Sequence, residues 1–333
     1  MRSILLSALL FSLPGVAGAQ VDTVRAPAEF RGLHAVSEKV VWASGSGGVI
    51  GRTVDGRAWV FDTVAGADSI FMVDIWAKDA KKAWAVGTNF SGGYAAIYHT
   101  RDGGTTWTRQ WELRHADAFL DGITCTDDRH CVVIGDPHEG NYLLLTTADG
   151  GTTWTRVPVA SLPPMLTGEA AFAASGTEIT SRGRTVWFAT GGGAHARAWR
   201  STDRGLTWQV NATPLPAGAS AGLFGIAMES ATVGLAAGGD YRLPRDSSAN
   251  LLRTTDGGVT WSVAGRTTPI GVRWGITSGG HGIFVATAPT GSGITRDGGA
   301  TWSVLEPGPA NTASCTKKSC WVAGPKRIVK VKI

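Results

Sequence analysis

The sequence predicts an all-β fold, a single seven-bladed β-propeller of four-stranded blades. Three observations support this prediction: a short motif recurs along the chain, a second apolar motif recurs between its copies, and turn residues are abundant. Glycine accounts for 46 of the 333 residues, whereas charged residues account for only 17%. Because glycine allows tight turns and helices disfavour it, this composition indicates many short strands rather than helices.

The first motif reads Ser or Thr, any residue, Asp, any residue, Gly, any residue, Thr, Trp, and we call it the Asp box. Full copies span residues 100–107, 147–154, 201–208, 254–261 and 295–302, and a shortened copy spans 53–59. The spacing of their aspartates is close to the length of a propeller blade, roughly 40–50 residues. The repeated residues are Asp55, Asp102, Asp149, Asp203, Asp256 and Asp297, with Trp59, Trp107, Trp154, Trp208, Trp261 and Trp302.

Each Asp box is interpreted as the turn between the third and fourth strands of a blade. An Asp-Gly pair between apolar runs favours a hairpin, because the turn needs residues that tolerate positive φ. The carboxylate and the hydroxyl can accept hydrogen bonds from amides inside the turn, and the tryptophan offers a large apolar surface for packing. The spacing of a calcium-binding loop is absent, so we expect these residues to be structural.

The second motif is a short apolar strand upstream of each box. Copies lie at residues 41–45, 83–87, 131–135, 186–189, 233–238, 282–286 and 320–324. Seven such strands, against six boxes, predict seven blades. The last copy has no box, so a segment near residues 21–30 is expected to complete it and to close the ring without an exposed edge.

Residues 169–174 conflict with this scheme, since their composition favours a helix. Their position in the repeat nevertheless predicts the first strand of the fourth blade, because tertiary context overrides propensity.

The N-terminal segment has the features of a signal peptide. A positive residue precedes an apolar stretch, and Ala17 and Ala19 form a small-residue cleavage pattern. The stretch is too short to span a bilayer, so the expected domains are a signal peptide at 1–19 and one propeller at 20–333. This pattern predicts a periplasmic or secreted protein that does not span the membrane.

The four cysteines form two close pairs, Cys125 with Cys131 and Cys315 with Cys320. The second cysteine of each pair lies at the same distance before an equivalent glycine, so both pairs should bridge the first and second strands of a blade. Two disulfides suit an exported protein. The alternative is one zinc site of four thiolates, which would require two distant blades to converge.

The boxes and the apolar strands together resemble the photosystem II stability and assembly-factor-like family of Asp-box (BNR-type) propellers, over residues 29–333. More distantly, the chain resembles the sialidase and sortilin type of Asp-box propeller, and WD40/YVTN-like repeats in general. The resemblance implies an exported scaffold without catalytic activity. Its expected partner is a protein or a membrane-associated complex, with carbohydrate as another possibility, and the protein is expected to be a monomer.

A binding face is expected opposite the boxes, where loops on a rigid scaffold carry polar residues. The expected ligand-binding residues are Asp136, His138, Glu139, His195, Arg197, Asp240, Tyr241, Arg242, Arg245 and Arg273. Connections between blades add His115, Asp117, Asp121 and Glu169 to this face. The alternative is that these loops are merely solvated.

The alternative function is a sialidase-like glycoside hydrolase using Glu169, Asp240 and Tyr241. The Arg-Ile-Pro motif of sialidases is absent from the sequence, so an enzyme is the less favoured interpretation. The histidines are scattered without ligand spacing, and no glycine-rich nucleotide loop is present, so no metal and no cofactor are expected. The formal charge of +5 is spread along the chain, which gives little support to nucleic-acid binding.

Overall fold

The computed structural model describes residues 21–333, and the predicted signal peptide at residues 1–19 lies outside them. Within this range, 26 strands form six antiparallel sheets. The helical elements described are two short 3-10 turns, Ser46–Gly48 and Val159–Ser161. The fold is therefore an all-β propeller with four-stranded blades. Among the same residues, no helix has the length and apolar composition needed to cross a membrane.

Five of the sheets have four strands each, paired in chain order from the first strand to the fourth. The first of these sheets contains β5 (Phe71–Ala77), β6 (Ala83–Thr88), β7 (Ala95–Thr100) and β8 (Thr108–Leu113). The second sheet contains β9 (Leu120–Cys125), β10 (Cys131–His138), β11 (Asn141–Thr147) and β12 (Thr155–Arg156). The third sheet contains β13 (Ile179–Arg182), β14 (Thr185–Thr190), β15 (Arg197–Ser201) and β16 (Gln209–Ala212). The fourth sheet contains β17 (Ala221–Met228), β18 (Gly234–Asp240), β19 (Leu251–Thr254) and β20 (Ser262–Gly265). The fifth sheet contains β21 (Gly275–Gly280), β22 (Ile283–Thr287), β23 (Ser292–Thr295) and β24 (Ser303–Glu306).

The sixth sheet has six strands and joins the two ends of the described chain. Its members are β1 (Val21–Ala35), β2 (Val41–Gly45), β3 (Val49–Thr53), β4 (Trp59–Thr63), β25 (Thr312–Cys315) and β26 (Ser319–Lys332), in the order β25-β26-β1-β2-β3-β4. The prediction of seven blades is therefore wrong, because the chain forms six sheets. The physical reason is that β1 pairs with two partners: its first part bonds to β26 and its second part bonds to β2.

The closing contact between the two ends agrees with the sequence prediction. Val21 pairs with Val331, and the pairing continues to Glu29 opposite Pro325. Ile328 and Val329 on the same part of β26 are buried. The sheet thus joins the ends of the ring with main-chain hydrogen bonds as well as with apolar packing.

The second strand of each repeat is buried on both faces, as its apolar composition predicts. Trp42, Trp84, Trp187 and Trp321 on four of these strands are fully buried. Two of their indole N–H groups donate to carbonyls in the Asp box of the next sheet. Trp84 donates to Gly150 at 3.3 Å, and Trp187 donates to Gly257 at 2.7 Å. Each bond satisfies a buried polar group and links neighbouring blades.

The segment at residues 169–174 is neither a helix nor the expected strand. The first strand of its sheet is β13, which begins only at Ile179. In residues 169–174, Ala170 makes one isolated bridge to Gly191. The interval from Asp149 to Asp203 is the longest between boxes, so the extra residues precede the blade instead of forming its first strand.

Both predicted disulfides are present, which rules out the four-thiolate zinc site. Cys125 bonds to Cys131 across β9 and β10, and Cys315 bonds to Cys320 across β25 and β26. Both bridges therefore join a first strand to a second strand.

The closing sheet should be sensitive to charge at its buried positions. We expect Val329→Asp to lower the free energy of unfolding by about 3–5 kcal/mol, because it places an unpaired carboxylate inside the contact between β1 and β26. The matched control, Lys332→Asp, puts the same carboxylate at an exposed position of the same strand, and its cost should be about 0.5 kcal/mol. Urea denaturation of the two variants measures the difference, and equal losses would contradict a structural role for this contact.

Candidate ligand site at the mouth of the propeller

The two ends of the propeller carry different loops. The Asp boxes lie at one end, between the third and fourth strands. The hairpins between second and third strands, together with the connections between blades, lie at the other end, which we call the mouth. Since antiparallel strands alternate in direction, this division follows from the topology.

The Asp boxes show why their sequence is so regular. Asp102 Oδ1 accepts hydrogen bonds from the Thr106 amide at 2.9 Å and from the Thr100 hydroxyl at 2.9 Å. Asp102 Oδ2 accepts from the Thr106 hydroxyl at 2.6 Å, and the Gly104 amide donates to Thr100 Oγ1. Hydrogen bonds from Thr106, first its hydroxyl and then its amide, lower the pKa of Asp102 to about 2. The carboxylate of an Asp box is thus hydrogen-bonded within its own turn, which is a structural role.

A cavity of about 430 Å³ opens at the mouth, and we call it the mouth cavity. Its aromatic lining comes from several blades and consists of Phe90, Phe119, Phe172, Phe224, Tyr241 and Trp274. Phe172 stacks on Phe224 with ring centroids 4.4 Å apart, and Phe90 meets Phe119 edge to face at 5.4 Å. The extra segment before β13 therefore supplies part of the cavity wall.

Two carboxyl groups also line the mouth cavity. Asp121 is fully buried, and neither of its carboxyl oxygens has a hydrogen-bond partner among the described residues. The Oδ1 atom of Asp136 has none either. A third buried carboxyl nearby, Glu178, likewise has two unpartnered oxygens. Unpartnered buried carboxyls are costly, so the cavity combines apolar walls with polar groups that lack partners.

Burial changes the acidity of these carboxyls. Burial raises the pKa of Asp121 well above its usual range, and the neighbouring carboxyls of Asp136 and Glu178 raise it further. Burial also raises the pKa of Asp136 to about 6. For Glu178, burial and then the charge of Asp74 raise the pKa. Each of these groups thus binds a proton more readily than a carboxyl in water.

Strand bulges place the key side chains in the cavity. In the pairing of β9 with β10, Ile134 lies opposite Gly122 and Gly135 lies opposite Leu120, so Asp121 is the extra residue. Asp136 is the extra residue in the pairing of β10 with β11. Phe224 is likewise the extra residue in the pairing of β17 with β18. A bulge redirects a side chain away from the strict alternation of a strand.

Arg31 lies at the edge of the mouth cavity, but its charge is already engaged. Its guanidinium lies 5.1 Å from the ring centre of Phe71 and 5.0 Å from that of Phe90. It also donates to the Ala173 carbonyl at 2.8 Å and pairs with Glu29 at 3.3 Å. The cation therefore helps to fix the wall of the cavity.

The ligand-binding residues expected from sequence are spread over several environments. Asp136 and Tyr241 line the mouth cavity. His138 and Glu139 lie at the hairpin after β10, where His138 contacts Asp117. The exposed loops at the mouth carry His195, Arg242 and Arg245, and Asp240 accepts a hydrogen bond from the amide of Arg242.

The other two predicted arginines are bonded inside the fold. Arg197 is buried and forms an ion pair with Glu169. Arg273 is fully buried and donates to the carbonyls of Gly271, Gly291 and Ile270 and to the Thr290 hydroxyl. Burial lowers the pKa of Arg273 to about 10. These guanidinium groups are not available to a ligand in this arrangement.

Sequence reasoning missed most of the cavity lining. Arg31, Phe90, Phe119, Phe172, Phe224 and Trp274 were not singled out, and Asp121 was named only among the connections between blades. Their positions depend on bulges and on the segment before β13, which no repeat pattern reveals. Apolar residues at expected strand positions also give no signal that they face a cavity.

Residues 61–181 match the family described as photosynthesis system II assembly factor YCF48. Three solved structures are similar over most of this chain. YCF48 from Cyanidioschyzon merolae has a TM-score of 0.63 and 12% identity, covering 95% of this chain and 99% of its own. The WD40 β-propeller domain of Doa1 has a TM-score of 0.62 and 12% identity, with coverages of 95% and 97%.

The third is the GH74 xyloglucanase from Xanthomonas campestris, with a TM-score of 0.63 and 15% identity. It is matched over 92% of this chain but over only 52% of its own length. No curated protein matches the chain.

The fold and the boxes define the protein as an Asp-box β-propeller. Similarity at 12–15% identity shows this fold alone. The family match over residues 61–181 goes further and confirms the resemblance to the photosystem II assembly-factor-like propellers.

The raised pKa of Asp136 predicts a specific pH dependence. An unfolded Asp has a pKa of about 3.9, so the parent should lose stability as the pH rises from about 4 to about 6, where only the unfolded state is ionised. We expect Asp136→Asn to remove the part of this loss that Asp136 causes, whereas Asp121 and Glu178, whose pKa values are also raised, keep their own contributions. Between pH 4 and pH 7 the variant should therefore gain about 1–3 kcal/mol of stability relative to the parent. Denaturant titrations at several pH values measure this difference.

The matched control for this experiment is Asp102→Asn, which should behave in the opposite way. Because the pKa of Asp102 is lowered to about 2, its contribution is present above about pH 4 and is lost as the pH falls towards 2. The control should therefore be less stable than the parent at pH 7, with the gap closing in acid. Parallel pH profiles for the two variants would contradict the assignment of Asp136 to a buried, charge-disfavouring site.

Proposed function

We propose that the protein is an exported, non-catalytic assembly scaffold that binds a protein partner, free or within a membrane-associated complex, at the mouth cavity. The observation that carries this proposal is the combination of aromatic walls with the unpartnered carboxyls of Asp121 and Asp136. We infer that the partner inserts a basic side chain, from Lys or Arg, into this cavity.

The chemistry of the cavity favours a cation over other groups. Aromatic rings attract a cation at their faces, and the attraction is strongest where water is excluded. A nearby positive charge also lowers the pKa of a carboxyl, so Asp121 and Asp136 would ionise when the cation enters. An anionic ligand would instead be repelled whenever either carboxyl ionises.

The family match supports the assembly role. The matched family is described as an assembly factor, and the described residues form a recessed cavity of about 430 Å³ at the mouth that can receive a partner's side chain. The kind of partner proposed here is argued from the chemistry of the cavity. The structural neighbours do not contribute to it, because their sequence identity of 12–15% supports only the fold.

Export is supported by two independent features. The N-terminal sequence has the pattern of a signal peptide. Both cysteine pairs form disulfides, and disulfides persist mainly in oxidising compartments.

A glycoside hydrolase has less support. Glu169, the expected base, is buried and accepts hydrogen bonds from the Thr190 hydroxyl, the Trp199 indole and the Arg197 guanidinium. The two carboxyls of the cavity both have raised pKa values, whereas hydrolysis needs one carboxyl that ionises readily beside one that does not. Binding therefore explains the site better than catalysis.

The proposal predicts selective binding of basic peptides. Binding of labelled peptides is measured by fluorescence polarisation. A peptide with a single central Lys or Arg should bind, whereas the same peptide with Glu or Leu at that position should not. We expect Asp121→Asn and Asp136→Asn to weaken binding about tenfold or more each, because a partner charge in the cavity loses its counter-charge. The matched control is Asp246→Asn, at an exposed loop position of the mouth, which should bind like the parent.

Crosslinking in cells extends this test to the native partner. The parent and the Asp246→Asn control should capture the same partner, and Asp121→Asn should lose it. If capture instead depends on the exposed arginines, tested as Arg242→Ala with Arg245→Ala, the partner binds the loops and the cavity proposal is wrong. Hydrolysis of an oligosaccharide that stops in Asp136→Asn would establish the enzyme instead.

A further inference from the structure

Three side chains with metal-binding atoms meet at the rim of the mouth. Asp117 Oδ1 lies 2.5 Å from His115 Nδ1 and 2.7 Å from His138 Nδ1. The three atoms all lie within 4.8 Å of one another. His138 is buried, whereas the side chains of His115 and Asp117 are 54% and 38% exposed.

From this arrangement we propose that His115, Asp117 and His138 form a binding site for a divalent transition metal of the zinc type. Two imidazole nitrogens with one carboxylate oxygen suit such an ion, whereas calcium and magnesium prefer sites built of oxygen atoms. The proposal does not depend on the function proposed for the mouth cavity.

The observed distances are compatible with an ion after a small adjustment. Zinc binds imidazole nitrogen and carboxylate oxygen at about 2.0–2.2 Å, which places neighbouring ligand atoms of a tetrahedral ion roughly 3.3–3.6 Å apart. The two imidazole nitrogens lie 2.5 and 2.7 Å from the same carboxylate oxygen, so each must separate from that oxygen by somewhat less than about 1 Å. The side chains of His115 and Asp117 are exposed enough to make this adjustment.

The backbone around the site holds two of the ligands in position. His138 ends β10 and is followed by a tight turn, in which Glu139 and Gly140 have φ values of 54° and 77°. Arg156 donates to the His138 carbonyl at 2.8 Å and to Glu139 Oε2 at 3.2 Å. The Glu139 amide faces Asp117 Oδ2 at 3.5 Å, so a second layer of contacts orients the carboxylate, as in many metal sites.

The site has space for a further ligand. A cavity of about 390 Å³ lies beside it and is lined by Asp117, Phe119 and Asp136 among others. Phe119 and Asp136 also line the mouth cavity. Three protein ligands leave one position of a tetrahedral ion open, and this position can take water or a donor group from a bound molecule.

Metal titration of the full chain, without a histidine tag, tests the proposal. Co²⁺ should produce visible absorption bands that saturate at one ion per chain, and Zn²⁺ should displace it. Affinity for Zn²⁺, measured by competition with a chromophoric chelator, should fall at least about tenfold in His115→Gln, Asp117→Asn and His138→Gln. Ca²⁺ should not compete.

Two controls separate loss of a ligand from loss of the fold. His195→Gln removes another exposed histidine of the mouth and should bind Zn²⁺ like the parent. His115→Gln changes an exposed side chain, so its circular dichroism and its unfolding midpoint without metal should match those of the parent. The proposal is wrong if the parent shows no saturable Co²⁺ bands, or if His115→Gln and His138→Gln bind Zn²⁺ as the parent does.

Discussion

The packing of buried tryptophans between neighbouring blades is the contact on which the ring depends. Trp84 and Trp187 fill the space between adjacent sheets, and their indole N–H groups end on Gly150 and Gly257. The contact therefore joins the second strand of one blade to the Asp box of the next. Truncation of such a residue to Ala would cost about 3–5 kcal/mol by cavity formation alone, and for Trp187 it would also leave the carbonyl of Gly257 without its indole donor.

A scaffold held in this way can tolerate unfavourable groups at its mouth. Asp121 and Glu178 are buried with unpartnered oxygens, and each lowers the stability of the protein. Proteins commonly keep such costly groups where function requires them, with stability supplied elsewhere. The rigid blades supply it here, and bulges in the strands at the mouth aim Asp121 and Asp136 into one cavity.

The sequence allowed the repeat architecture to be predicted because its signals are local. An Asp box determines its own turn, and an apolar strand such as residues 83–87 indicates its own burial. The number of sheets could not be predicted, because β1 pairs with both β2 and β26, and β26 lies at the opposite end of the chain. The cavity was equally hidden, since a bulge at Asp121 leaves no mark in the repeat. His115 and His138 lie on separate segments of the chain, and only folding brings both of them to Asp117.

The pairing of β1 with β26 also has a consequence for how the chain matures. Strands that are neighbours in sequence can form hairpins early, whereas a contact between the two ends must overcome the entropy of closing a very long loop. The ring can close only after the last strand has been synthesised. Until then, the edge of β1 presents unpaired amides and carbonyls to other chains, so the protein is exposed to aggregation at this edge until the ring closes.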